Sequence, residues 1–255
     1  MLKQIIEVKQ EEIKTLEKPV YTGKFTSRSL IDAIKDRSRD VALIAEVKKA
    51  SPSKGVIRKD FDPVAIAVEY ASSQVDAISV ITDRTFFQGN PTFLTQIKRA
   101  VDLPILRKDF IIDRIQLEES KAIGADAVLL IAAALQVEKA KELYEYASEL
   151  GLEVLLEVHT EEELMRILDF FTPDLIGINN RNLETFDTNL ENTLRISRML
   201  PDHIPFVSES GIQTNADIQY VKKVSASAVL VGESLMKSKD INEAVCCLLE
   251  DRISI

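Results

Sequence analysis

The stretch RIQLEESKAIGADAVLLI, residues 114–131, carries the fold in miniature. Arg114 to Ile123 has helical periodicity, and Gly124 stands where a helix should end in a left-handed residue. DAVLLIA (126–132) then reads as a short strand, rich in Val, Leu and Ile because both faces are buried. The same helix-to-strand joint returns as VDAISVI (75–81) and SASAVLV (225–231). Comparable apolar runs lie at 41–47, 76–82, 103–109, 153–158, 174–179, 204–210 and 227–233, with helical segments such as 63–72 and 136–150 between them. Asp62-Pro63 reads as an N-cap with proline in the first turn, and Thr160 to Glu163 has capping-box spacing. Gly151 is a second helix-ending glycine.

Strict alternation of strand and helix implies parallel strands with crossover helices. Eight units in this length predict a (β/α)8 TIM barrel, whose usual size is ~250 residues. A doubly wound open sheet is the alternative, but it more often has fewer strands or a second domain. No Gly/Pro/Ser-rich linker divides the chain. The expected organisation is therefore one domain, with residues 1–40 an N-terminal helical extension and 41–255 the barrel. Leu2, Ile5, Ile6, Ile13 and Leu16 share rough helical spacing, and LIDAIK (30–35) offers a second helix. The extension is expected to cover one end of the barrel; a lid over substrate is the sharper reading.

Composition narrows the function. The 255 residues are 45% hydrophobic and 29% charged, which is typical of a globular chain rather than a disordered one. With 32 basic and 41 acidic residues the formal charge is −9, which argues against non-specific binding to nucleic acid or an anionic membrane. The opening MLKQIIEVKQEEIK is broken by charges, so neither a signal peptide nor a membrane span is expected. Cys246 and Cys247 are adjacent and cannot form a disulfide framework; they are expected to pack the terminal helix, in a reducing, cytoplasmic setting. GxGxxG and GxxxxGK[ST] are both absent, and the two histidines, His159 and His203, have no metal-ligand spacing. No cofactor or metal is expected.

In such a barrel the chemistry lies at the C-terminal strand ends. Glu46 and Lys48 close the first strand two residues apart, hence on one face. Lys108 closes the third strand, with Phe110 on its own face; Glu157 closes the fifth, Asn179 and Arg181 the sixth, and Glu209 the seventh. Any one of these could be solvated or sit in a structural ion pair. Converging on one rim, they have the composition of an acid–base site. His159, two residues past Glu157, could reach the rim but is expected to be a loop residue. Gly211 and Gly232 end adjacent strands just before helical sequence, where backbone amides can approach an anion; barrel enzymes frequently bind phosphate there.

The segments AEVKKASPSKG (45–55), ITDRTFFQG (81–89), LRKDFIID (106–113), GADAVLLI (124–131), LLEVH (155–159), GINNRNLETF (177–186), VSESGI (207–212) and LVGESLM (230–236) closely resemble the indole-3-glycerol phosphate synthase family, in order and through nearly the whole chain. The resemblance implies a cofactor-free carboxy-lyase of tryptophan biosynthesis. Its substrate would be a small anion, 1-(2-carboxyphenylamino)-1-deoxyribulose 5-phosphate, closed to indole-3-glycerol phosphate with loss of carbon dioxide and water. It implies Lys108 as general acid at the substrate carbonyl and Glu157 as acid–base partner in the dehydration. Lys48 would contact the substrate carboxylate or donate a proton itself. Glu46, Asn179 and Glu209 would orient these groups. Ser51, Ser210, Gly211, Gly232 and Glu233 would surround the phosphate, although some relatives carry serine at the last position. Phe87, Phe110, Leu129, Arg181 and Leu183 would wall the anthranilate pocket. Two rivals are a Schiff-base lyase using the same lysine and a non-catalytic sugar-phosphate-binding barrel.

Overall fold

A computed structural model describes residues 1–19, 25–182 and 185–249. In it the eight apolar runs become eight strands: β1 (Ala42–Val47), β2 (Ala77–Ile81), β3 (Ile105–Lys108), β4 (Ala127–Ile131), β5 (Glu153–Val158), β6 (Ile176–Asn179), β7 (Phe206–Glu209) and β8 (Ala228–Val231). Every neighbouring pair is parallel, and β1 pairs with both β2 and β8, so the sheet closes. The open-sheet alternative is thereby excluded.

Closure explains why the strands read as unbroken apolar runs. Leu43, Ala45 and Val47 of β1 face outward into the helical layer, whereas Ala42 and Ile44 point into the barrel with Leu106, Leu129, Leu155, Val207 and Leu230. The crossovers carry α3 (Pro63–Ser72), α4 (Pro91–Ala100), α5 (Arg114–Ile123), α6 (Val137–Glu149), α7 (Glu161–Leu168), α8 (Glu191–Ser197) and α9 (Asn215–Lys222). After β8 come α10 (Glu233–Lys237) and α11 (Ile241–Leu249). Asp62 caps α3 by accepting from the amides of Val64 and Ala65, and Gly124 ends α5 at φ +96°. At Thr160 only half of the expected box forms. Its hydroxyl accepts from Glu163 N, but the Glu163 carboxylate takes the amide of His159 instead.

The repeated Asp-Ala joint has a physical purpose. Asp76 accepts from Leu43 N at 2.7 Å and Asp126 from Ile105 N at 2.8 Å. Each aspartate precedes its own strand and bonds the strand before it, so it pins the register from outside the ladder. Asp126 also takes the buried Lys98 ammonium at 2.6 Å.

The N-terminal helices do not form one layer over one end, as the sequence suggests. α2 (Leu30–Lys35) closes the N-terminal end, where Leu30 and Ile34 join the barrel's inner apolar cluster. Glu153, at the start of β5, receives Ser29 Oγ and the amides of Leu30 and Ile31 at 2.6–3.0 Å. α1 (Leu2–Lys14) lies at the opposite end, with Leu2 and Ile5 on the cavity at the C-terminal mouth. On α11, Cys246 is half-buried and Cys247 exposed, so only the first packs as expected. Among the described residues no helix is long and apolar enough to cross a membrane.

Candidate active site

The strand ends converge on a cavity of about 770 Å³ at the barrel mouth. Its apolar lining includes Ile81, Leu129, Ile131 and Leu230. Beside them other inward positions at the strand ends are ionic. Lys108 Nζ stands 3.2 Å from Glu157 Oε2 and 3.3 Å from Glu209 Oε2. Lys48 Nζ lies 2.5 Å from Glu46 Oε2, as expected for residues two apart on one face. Glu46, Glu157 and Glu209 are all buried.

Burial and mutual contact decide how these groups titrate. Burial alone would lower the Lys108 ammonium, but Glu157, Glu209 and Glu46 outweigh it and raise its pKa. Glu209 is pushed up to about 8, by burial first and then by the Glu157 carboxylate, even though Lys108 opposes the shift. Glu157 goes the other way: Lys108 and His159 overcome the cost of burial and hold it below the usual carboxylate range. At neutral pH the trio is an ammonium, a carboxylate and a protonated carboxyl. The pair of glutamates shares one proton, so it titrates as a unit. His159 follows β5, buried, with Nε2 3.3 Å from Glu157 Oε1 and Nδ1 3.5 Å from Glu163 Oε2. It is a loop residue as expected, but one set directly against Glu157.

Two glycines leave room for this cluster. A Cβ at Gly177, one turn of the pleat below Asn179 on β6, would fall 2.2 Å from Glu209 Oε1. At Gly232 it would fall 2.6 Å from Glu46 Oε2 and 2.9 Å from Glu46 Cβ. The sequence assigns Gly232 to close approach of an anion; the structure adds that Glu46 already needs the space.

The remaining predicted residues line the same cavity, with one exception. Ser51 lies in a short antiparallel pair after β1, Ala50–Ser51 with Gly55–Val56, which the sequence reading lacks. Phe87 and Phe110 face one another across 6.0 Å. Asn179 Oδ1 accepts from Arg181 N at 3.0 Å, and Arg181 reaches Phe186 O and, at 3.8 Å, Glu233. Glu233 is paired with Lys237 at 2.6 Å. Leu183 lies outside the described residues. Ser210 and Gly211 follow β7 with φ of +65° and +85°, but α9 starts only at Asn215. Gly211 therefore does not lead directly into a helix, whereas Gly232 is the N-cap of α10.

Three further groups, which the sequence does not single out, shape the mouth. Asn180 donates to the carbonyls of Glu209 and Ser210 at 3.0 and 3.1 Å and accepts from Thr193, which fixes the turn at Ser210. Asp83 and Asp109, buried at the ends of β2 and β3, bond the amides of Phe86, Phe87 and Phe110. Their signal was an acid just past a strand end with phenylalanines close behind, a pattern that local spacing does not separate from a solvated turn.

Residues 2–248 match the family model for indole-3-glycerol phosphate synthase. A Geobacillus sp. (strain WCH70) indole-3-glycerol phosphate synthase is 54% identical over 255 residues, covering 100% of this chain and 99% of its own length. One from Priestia megaterium is 52% identical over 96% of each. Among solved structures, 3-hexulose-6-phosphate synthase from Salmonella typhimurium superposes with a TM-score of 0.67 at 12% identity, over 82% of this chain and 97% of that one. A chain of the tryptophan synthase complex of Pyrococcus furiosus gives 0.60 at 17%, over 83% and 98%. At such identities these two speak for the barrel fold alone.

Proposed function

The chain belongs to the indole-3-glycerol phosphate synthase family, and from that membership we propose how the residues at the barrel mouth divide the reaction. The enzyme is a decarboxylating lyase of tryptophan biosynthesis acting on a small phosphate-containing substrate. The observation that carries the assignment of roles is the placement of Lys108 between Glu157 and Glu209, in a cavity partly lined by apolar side chains.

Ring closure of 1-(2-carboxyphenylamino)-1-deoxyribulose 5-phosphate joins an aromatic carbon to the ketone carbon, and negative charge grows on the ketone oxygen. Lys108, held as an ammonium, donates its proton there; stabilising that charge in a water-poor site lowers the barrier. Loss of carbon dioxide restores the aromatic ring and asks little beyond a dry pocket. In the dehydration the bond from carbon to the hydroxyl formed at ring closure breaks, and the neighbouring ring CH2 loses a proton as the ring C=C bond forms. Glu157, kept ionised, accepts this proton and passes it to the departing hydroxyl, which leaves as water. Glu209 and Glu46 orient the two lysines, Asn179 holds the backbone that presents Arg181, and Lys48 faces the substrate carboxylate. Phe87, Phe110 and Leu129 take the aromatic ring, with Arg181 beside them. The phosphate sits by Ser51 against the turn at Ser210–Gly211 and the first turn of α10, from Gly232 and Glu233, where the backbone amides of a helix start favour an anion.

A Schiff-base lyase needs a neutral amine, and carboxylates that hold Lys108 as an ammonium work against one. The helices of the N-terminal extension work as part of the barrel domain, since α2 plugs one end and α1 lines the mouth at the other. Free adjacent cysteines fit a reducing cytoplasm. The decisive experiment follows indole fluorescence as purified protein meets the carboxyphenylamino-deoxyribulose phosphate, with inorganic phosphate as competitor. Product formation with competitive inhibition is expected; a borohydride-trapped adduct on Lys108 would overturn the acid role.

A further inference from the structure

Lys9 belongs to α1, far in sequence from every strand end, yet it is 3% exposed. Its ammonium lies 3.0 Å from Asp83 Oδ2 and 2.9 Å from Asp109 Oδ1, an ion pair with each, and donates a hydrogen bond to Glu12 Oε2 at 2.8 Å. Both aspartates hold aromatic loops. Asp83 Oδ1 accepts from Phe86 N and Phe87 N at 2.7 and 3.1 Å, and Asp109 Oδ1 accepts from Phe110 N at 2.8 Å. Asp109 has further partners in Arg107 and Thr82, whereas Asp83 Oδ2 has no hydrogen-bond partner among the described residues and meets the Lys9 ammonium as an ion pair. Glu12 also receives Thr85 Oγ1 at 3.1 Å, a second grip of α1 on the loop after β2.

A buried charge cluster of this kind contributes little to stability by itself, because desolvation offsets the attraction. It is well suited to fixing distance. Two buried carboxylates just past the ends of adjacent strands repel one another, and a cation between them offsets that repulsion and holds them together. We propose that Lys9 is a positioning residue for substrate binding: by bridging Asp83 and Asp109 it holds Phe87 and Phe110 at the separation that receives the substrate's aromatic ring. Lys108 is held by Glu157 and Glu209 from other strands, so the proton donor does not depend on this bridge. The inference rests on the reading of Phe87 and Phe110 as the aromatic subsite.

Lys9→Met in the full chain tests it. The Michaelis constant should rise about tenfold while turnover at saturation stays within about threefold and the inhibition constant of inorganic phosphate is unchanged. A folded variant with a wild-type Michaelis constant overturns the proposal. So does one in which phosphate inhibition weakens in parallel, since that is general loosening of the mouth. If Lys9→Met does not fold, Lys9→Met/Asp83→Asn removes the unpaired charge, while the carboxamide oxygen so introduced can still accept from the Phe86 and Phe87 amides. The raised Michaelis constant should persist in this double variant, and a wild-type value there refutes positioning by the ammonium. Failure of the subsite reading looks different: Phe87→Ala and Phe110→Ala would then leave the wild-type Michaelis constant unchanged.

Discussion

Replacing Gly177 with alanine adds one methyl group to β6 at a position whose backbone any residue tolerates, so its effect comes from the space the methyl takes. The new Cβ would lie 2.2 Å from Glu209 Oε1, 3.3 Å from Glu209 Cδ and 3.4 Å from Leu155 Cδ1. A carbon–oxygen contact has to open to ~3.2 Å or more, so the carboxylate must withdraw by roughly 1 Å. Glu209 is buried and its other oxygen stands 3.3 Å from Lys108, so the movement is passed to the proposed proton donor. A misplacement of this size costs on the order of 10²-fold in rate. The stability cost should be small, about 1–3 kcal/mol at most, because the clashing atom ends a flexible side chain. The assay is steady-state indole-3-glycerol phosphate formation beside thermal unfolding of the same preparation. A double-mutant cycle sharpens it: with Glu209→Ala the methyl has nothing to strike, so Gly177→Ala/Glu209→Ala should match Glu209→Ala within about twofold. Near-normal turnover in Gly177→Ala, or a double variant much worse than Glu209→Ala, would refute the reasoning.

Lys108→Ala should lose about 10²–10⁴-fold in turnover while inorganic phosphate still binds, as read from kcat and a phosphate inhibition constant. Glu209, pushed up to about 8 by burial and then Glu157, is neutral below that pH; ionising it adds a negative charge that holds the Lys108 proton more tightly. Wild-type kcat should therefore fall as pH rises through this region, and Glu209→Gln, slower overall, should lack that basic limb. Stability has the same sign: the raised pKa contributes below the ordinary carboxylate range, and the contribution is lost as pH rises through about 8, which urea midpoints across that range can follow. Glu153→Ala strips the partner from Ser29 Oγ and the amides of Leu30 and Ile31. It should cost about 1–3 kcal/mol by denaturant unfolding and leave kcat intact, because α2 lies at the far end from the chemistry.

Much of this was readable from the chain in one dimension. The eight strands, the helices at 63–72 and 114–123 and the caps at Asp62 and Gly124 are set by residues within one or two turns of each other. The ionisable rim was readable for a related reason. A parallel barrel carries every strand's C-terminal end to the same mouth, so the position of Lys108, Glu157 or Glu209 within its own strand already gives its end of the molecule. The motifs around those residues carried the family resemblance, and with it the substrate.

Other features depend on distances between segments far apart in the chain. α1 and α2 are joined by a short stretch and look alike as amphipathic helices, yet one meets the mouth and the other plugs the opposite end. Their destinations are set by partners more than 70 residues away: Asp83 and Asp109 for Lys9, and Glu153 for Leu30. Gly177 looks like an ordinary strand glycine until Glu209 is seen in the space a side chain would occupy. The opposite titration of Glu157 and Glu209 cannot be read from LLEVH or VSESGI, where each is simply an acid ending a strand. A proton's affinity is set by how completely the group is dried and by which charges stand within a few ångströms. The sequence alone determined the barrel, the rim and the family; only the tertiary structure decided which carboxyl keeps its proton and which lysine holds the aromatic walls apart.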